Sequence, residues 1–394
     1  TVPFPKIDPG SVTHMPLPST ELQLAPRLVR ATAKPLLGSF TKVELVYDIG
    51  SGAQRLEMVP SGKTDEYVAL LPGVLSPADV EYHIEATHSL NRVFRAPEAG
   101  EYSYAVGRES VHYADDFETP NTGWQSGPLI GTVSDFARGR PSGTSGTSWG
   151  VNWSDPNGAF SGSNAWGNNL NGAHGYTMAC FLRSPKIDLT GKTNVRLRYF
   201  RWLQVQDGNF DVARIRLNGQ DVWSNRKGAN HVDTAWTKVD LRLPAADNNP
   251  AVELEWQLLA DGGMELAGWN IDDVSLISFQ ALPPPTAQLT IDPPMVGLGK
   301  SSTLTLKGTP NAPVAMLVSV NPGPLSIPSL PTLYLGTPFD VFWLTLDGSG
   351  GQKLAFTAPT SSTATGLTFY CQGLLPDAQS NLIATNPSIV LIGK

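Results

Sequence analysis

Five carboxylates stand in two short runs at the ends of one stretch of this chain. Asp115-Asp116-Phe117-Glu118 opens the stretch, and Gly268-Trp269-Asn270-Ile271-Asp272-Asp273-Val274 closes it. Like charges side by side are unfavourable unless a cation compensates them, and Ca2+ suits such a group because it takes oxygen ligands in a flexible geometry. The competing reading leaves the same groups solvated or paired with arginine. A second pattern, Gly146-Thr147-Ser148-Trp149-Gly150, fits the G-x-S-x-G signature of a serine hydrolase. That chemistry needs a hydrophobic strand before the serine and a helix after it, so that a strained turn exposes the hydroxyl. The flanks here are polar loop, so the match is expected to be coincidental. The sequence contains no HExxH, no phosphate-binding Gly-Lys-Ser/Thr loop and no dinucleotide fingerprint, and its six histidines are scattered. The reading is a non-catalytic chain.

Binding chemistry is better represented. Trp149, Trp153 and Trp166, with Tyr176, fall in a segment rich in Gly, Asn and Ser. Aromatic faces beside amide side chains hold sugars by stacking and hydrogen bonding; the same tryptophans would otherwise cap the ends of a core. Asp207, Asn209 and Asp211 have the spacing of half a calcium loop without its remaining ligands, and on an extended strand they simply share one polar face. Arg196, Arg198, Arg214 and Arg216 are expected to pair across strands with Glu253 and Glu255. His83 and His88, near Glu81 and Glu85, read as a polar sheet face.

The elements that position these groups are strands. Val195, Leu197 and Tyr199 alternate with arginines, Ile215 and Leu217 do the same, and Val252, Leu254, Trp256 and Leu258 alternate with Glu and Gln. Period two with one apolar face marks half-buried strands, and Asn218-Gly219 and Asp261-Gly262-Gly263 suit tight reversals. With 394 residues, 38 Gly, 33 Pro and 16% charged residues, the chain reads as all-β and multi-domain. A net charge of −7 gives no electrostatic basis for binding nucleic acid. No apolar run reaches the roughly 20 residues needed to span a bilayer. Two cysteines, Cys180 and Cys371, exclude a disulfide scaffold. Low charge and polar loops favour a bacterial extracellular protein, and a chain starting at Thr1 is expected to be a processed form or a fragment.

In order, residues 1–24 form an extended Pro-rich arm able to pair with a neighbour. Residues 25–107 form a small fibronectin-III/immunoglobulin-like sandwich, and residues 112–279 a jelly-roll sandwich in which the first and last strands are neighbours. After the stiff Pro283-Pro284-Pro285 spacer, residues 286–394 form an immunoglobulin-like sandwich ending in the strand Ser388–Ile392.

The runs Phe160–Leu170, Leu182–Leu189, Arg198–Leu203 and Gly268–Val274 together resemble the MAM-like jelly-roll domain found downstream of the catalytic domain in secreted bacterial peptidases of the immune-inhibitor-A type. The preceding sandwich resembles the fibronectin-like module that often comes before that domain. The resemblance implies that Asp116, Glu118, Asp272 and Asp273 hold a structural Ca2+. It departs from animal MAM domains, which are held by disulfides, because this stretch has only Cys180. Two roles follow as expectations. One is a structural or adhesive extracellular protein acting through its sandwich surfaces, with other copies of itself or an extracellular carbohydrate polymer as partner. The other is an accessory carbohydrate- or substrate-binding region of a secreted hydrolase.

Overall fold

The computed structural model describes residues 9–97, 100–131 and 134–393. Alternation drives the architecture: where every second side chain is apolar, the strand buries one face and pairs along both edges. The result is nearly all β. Helical geometry among the described residues is confined to the single turns Pro244–Ala246 and Ser362–Ala364. Among the described pairings with a given register, all are antiparallel apart from the short contact of Met295–Val296 with Ser388–Ile392 and one isolated bridge, Thr20 with Val106. The chain divides into two compact units, residues 109–280 and residues 1–108 with 281–394.

The central unit is a two-sheet sandwich. One sheet runs Gln125–Ile130, Ala179–Arg183, Leu254–Leu259, Val212–Leu217, Gln220–Ser224. The other runs Phe136–Gly139, Ala165–Asn168, Gly268–Gln280, Arg196–Val205; Arg108–Asp115 also pairs with Gly268–Gln280, and Thr237–Arg242 with Arg196–Val205. The opening and closing strands of the stretch are therefore hydrogen-bonded neighbours, as the sequence led us to expect. Between the sheets lies a core that includes Leu197, Tyr199, Ile215, Trp256, Trp269 and Ile271, all buried.

The other unit contains two sandwiches. The N-terminal one faces Arg27–Pro35 and Glu66–Leu71 against Phe40–Asp48 and Ala78–His88 around Val29, Leu45, Tyr82 and Tyr104. The C-terminal one sets Gln288–Asp292, Ser301–Lys307 and Gly351–Thr357 against a larger sheet that ends in Pro313–Ser319 and then Asp340–Thr345. Val59, Val68 and Leu70 meet Ile389 and Leu391 in an apolar cluster of their own, so these two sandwiches are packed together.

The expected arm needs correction. Residues 1–8 lie outside the described residues, but from Gly10 to His14 the chain is an edge strand on Arg27–Pro35, and Leu17 N–H donates to the Tyr82 hydroxyl. Alternation places Val12 inward against the same core, so burial fixes this stretch to its own sandwich. Cys180 and Cys371 are both free and buried, and burial pushes each thiol up to about 12. Neither is a thiolate near neutral pH.

Candidate functional site

The site begins with a contradiction in the closing strand. Trp269 and Ile271 point into the core, so Asn270 and Asp272 must point away from it and should be wet. Both are buried. The cause is residues 142–164, which lie over the outer face of that sheet. Trp202 Nε1 donates to Ser154 O, Ser154 N–H donates to Gln204 Oε1, and Trp236 Nε1 donates to Gly158 O. The rings of Phe160 and Phe200 stack with centroids 3.4 Å apart.

The acidic runs meet at the far end of this covering segment. Asp272 accepts N–H bonds from Phe160 (2.8 Å), Ser161 (3.2 Å) and Asp273 (2.8 Å), and Asp273 accepts from the Ser161 hydroxyl at 2.8 Å. Glu118 accepts from the N–H groups of Ser163 and Asn164 at 2.8 and 2.7 Å, and from the Asn164 amide. Successive backbone N–H groups of this kind form an anion-binding nest, and they hold the Glu118 carboxyl below its ordinary range. Gly162 makes the approach possible: at φ +56° a Cβ would stand 2.5 Å from Glu118 Cδ. A bulge opposite Arg198–Phe200, with Asp273 at φ +48°, turns the two aspartates toward the loop. Burial pushes Asp272 up to about 7. Asp116 is exposed and accepts the Glu118 N–H at 3.1 Å, while Asp115 is buried beneath Trp124 Nε1. Glu118, Asp272 and Asp273 thus share one loop, residues 160–164, and hold it through hydrogen bonds. Among the described residues no three His, Cys, Asp or Glu side chains converge as a metal cage.

The four aromatics separate. Strands Ser145–Ser148 and Val151–Ser154 form a hairpin whose two-residue turn is Trp149-Gly150, at φ +48° and +81°. Such a turn suits Asn-Gly; a tryptophan in the left-handed region is an outlier. Trp149 is 81% exposed and Tyr176 is 64% exposed. The Glu265 N–H donates to Ser148 Oγ, next in the chain to Trp149, and the Glu265 carboxylate raises the pKa of the Tyr176 hydroxyl. Trp153 instead lies flat over Gly146, and Trp166 packs against the core. Only the first pair presents open rings.

Other sequence expectations resolve as follows. Ser148 ends a strand and is followed by a turn and another strand, so it is no nucleophile elbow. Arg196 and Arg198 pair with Asp240, and Arg214 and Arg216 with Asp221; Glu253 and Glu255 bind Arg183. The expected pairing is corrected because Asp240 lies directly opposite Arg198 in register, whereas Asp221 follows across the tight turn. Asp207 caps its own turn through Asn209, but Asp211 is fully buried, accepting from Gln206 N and Asp261 N with His174 Nε2 3.5 Å away. The sequence reading also missed Asp155. Its Oδ1 accepts from Asn270 Nδ2 at 3.3 Å, while Asp155 Oδ2 and Asn270 Oδ1 are buried without a partner. Burial pushes Asp155 up to about 7, against the opposing pull of the Asn270 amide and the Gly172 N–H.

The class defined by this architecture is an all-β protein of antiparallel sandwiches. No family model matches the chain. Over 166 residues, 42% of its length, it is 28% identical to Bacillopeptidase F of Bacillus subtilis (strain 168), and it spans 10% of that protein. Among solved structures, a carbohydrate-binding module of the β-sandwich superfamily aligns over 69% of this chain and 99% of its own, with 12% identity and a TM-score of 0.25. An N-terminal tandem CBM22 domain from Paenibacillus barcinonensis aligns over 74% of this chain and 99% of its own, with 11% identity and a TM-score of 0.27. A bacterial ice-binding adhesin aligns over 98% and 99%, with 8% identity and a TM-score of 0.18.

Proposed function

We propose that this chain is a non-catalytic extracellular protein of adhesive type that binds a carbohydrate polymer through Trp149 and Tyr176. The observation that carries the reading is Trp149 itself. A large apolar ring is held almost wholly in solvent, on a turn whose backbone geometry disfavours it, and Tyr176 presents a second open ring. Backbone strain of this kind persists where it serves a contact. Open aromatic rings suit the apolar faces of sugars, and the Glu265 carboxylate near Tyr176 suits their hydroxyls. Retention on insoluble polysaccharides tests this directly. Trp149→Ala and Tyr176→Ala should each weaken binding about tenfold, corresponding to one lost stacking contact, while Trp153→Ala keeps it. A wild-type chain that is retained on no polysaccharide removes the proposal. The match to Bacillopeptidase F favours a second reading, an accessory binding region of a peptidase; finding a protease domain encoded in the same reading frame would support it.

We further propose that Asp116, Glu118, Asp272 and Asp273 take up Ca2+. The set is all hard oxygen, and a cation there would relieve the cost of burying the Asp272 charge. Its oxygens now accept N–H bonds, so binding requires the loop at 160–164 to give up donors. An ion bound only by the native state must stabilise it, and a chelator should then lower the melting temperature by about 5 °C. A melting temperature indifferent to chelator and to added Ca2+ would dispose of the ion.

A further inference from the structure

The C-terminal sandwich is open along one side. Its larger sheet ends at Asp340–Thr345 and its smaller sheet at Gly351–Thr357, with no further strand paired to either among the described residues. Between them lies a cleft of about 440 Å3 lined by Met316, Phe342, Leu344, Leu354, Phe356 and Phe369. The edge strand is apolar on both faces. Phe342 and Leu344 face the cleft, whereas Val341 (42% exposed) and Trp343 (77% exposed) face outward, and Phe342 itself is 53% exposed. A free edge with apolar groups on both sides is a template for another strand.

The hydrogen-bond parity of that edge is fixed. Leu346 N–H donates to Ala312 O, so the even-numbered residues of the strand bond inward to Pro313–Ser319, which they face in register. The odd residues Val341, Trp343 and Thr345 therefore direct their N–H and C=O groups outward. A strand added there needs N–H groups on alternate residues, and apolar side chains on both faces.

Residues 1–8, Thr-Val-Pro-Phe-Pro-Lys-Ile-Asp, meet both requirements. Pro3 and Pro5 have no N–H, and they occupy alternate positions, so pairing runs through Val2, Phe4 and Lys6. In an antiparallel pair, directly opposed residues share a face. Val2 and Phe4 then cover Val341 and Trp343, and the two proline rings lie on the side of the cleft. Eight extended residues reach about 26 Å, enough for the six residues of the edge strand. We propose that this segment of a second copy of the chain adds a strand to the Asp340–Thr345 edge. Arm and edge are different surfaces, so the contact is head-to-tail and propagates from copy to copy. The inference is independent of the sugar site.

The test is a concentration series of the full-length chain by light scattering and electron microscopy. Wild type should grow in mass with concentration and form linear assemblies. Phe4→Pro, which removes a pairing N–H, and Trp343→Arg, which charges an already exposed position, should both stay at the monomer mass. Pro3→Ala should assemble like wild type. Assembly of Phe4→Pro at the wild-type concentration would overturn the arm, and assembly of Trp343→Arg would overturn the edge. A wild type that remains monomeric at all concentrations would overturn the second copy, whether its edge is empty or filled by its own residues.

Discussion

The central sandwich and the C-terminal sandwich solve the same problem in opposite ways. Each has a sheet whose outer face the core does not reach. In the central unit residues 142–164 cover that face, and the groups beneath them are polar: Gln204, Asn270 and Asp272 are all buried. In the C-terminal sandwich the outermost strand is bare and its central residues, Val341 to Leu344, are apolar, and no charged side chain is buried there among the described residues. Polar groups under a loop give direction, because each must find its partner or incur a desolvation cost. Apolar groups on an open edge give no direction of their own; the backbone parity does so instead. One region is specified from within and the other is left for a partner.

The sharpest way to break this comparison is to remove a buried charge from the central unit. Asp211 is fully buried and holds two backbone N–H groups, those of Gln206 and Asp261, beside His174. Asp211→Ala leaves both donors unpaired and strands the imidazole, whose proton affinity the carboxylate raises against the opposing effect of burial. The expected loss is about 3–5 kcal/mol in denaturant unfolding. An effect below 1 kcal/mol would show that the polar network does not specify the unit.

This residue also shows what was legible in the sequence and what was not. Alternation around Tyr199, Ile215 and Trp256 marked the strands, and the strands that carry Asp115 and Asp272 are neighbours, although Asp115 ends its strand, where the sequence was read as beginning one, and Asp116 and Glu118 lie beyond it. Period two identifies a buried face, however, and assigns the other face to water by default. Asn270, Asp272 and Asp211 sit on positions that read as wet, and they are buried because chain distant in sequence lies over them. No local pattern carries that information. Asp211 therefore looked like half a calcium loop, and Asp155 looked like nothing. The same limit applies at the C-terminal edge, where Val341-Phe342-Trp343-Leu344 has no alternation to read.

A second, smaller effect tests how the covering segment is held. Asp155 Oδ2 and Asn270 Oδ1 are acceptors without a donor, on either side of the one hydrogen bond that joins their side chains. A proton on Asp155 supplies a donor. The native carboxyl keeps its proton to about 7, whereas in the unfolded chain it is lost near the ordinary aspartate value. Folding therefore takes up a proton between those pH values; the stabilisation is full below the unfolded pKa and is lost as pH rises through about 7. Asp155→Asn mimics the protonated group at every pH. It should flatten this part of the profile and add about 2 kcal/mol at pH 8, measured by urea unfolding across pH. A variant less stable than wild type at pH 5 would indicate that the site holds a cation or water that needs the carboxylate.

The smallest expected effect has the opposite sign from a typical substitution. Trp149 occupies the first position of a two-residue turn at φ +48°, where Asn is favoured and a bulky side chain is strained. It buries little, so replacing it removes few contacts. Trp149→Asn should therefore raise stability by about 0.5–1 kcal/mol, read as a rise of a few degrees in the melting temperature, while weakening retention on polysaccharide about tenfold. The pairing of outcomes matters more than either alone. A gain in stability with a loss of binding means the ring is kept for its surface, at the expense of the turn. A loss of stability means that Trp149 holds the hairpin to its neighbours. In that case the ring serves the hairpin's own packing and is not kept for sugar.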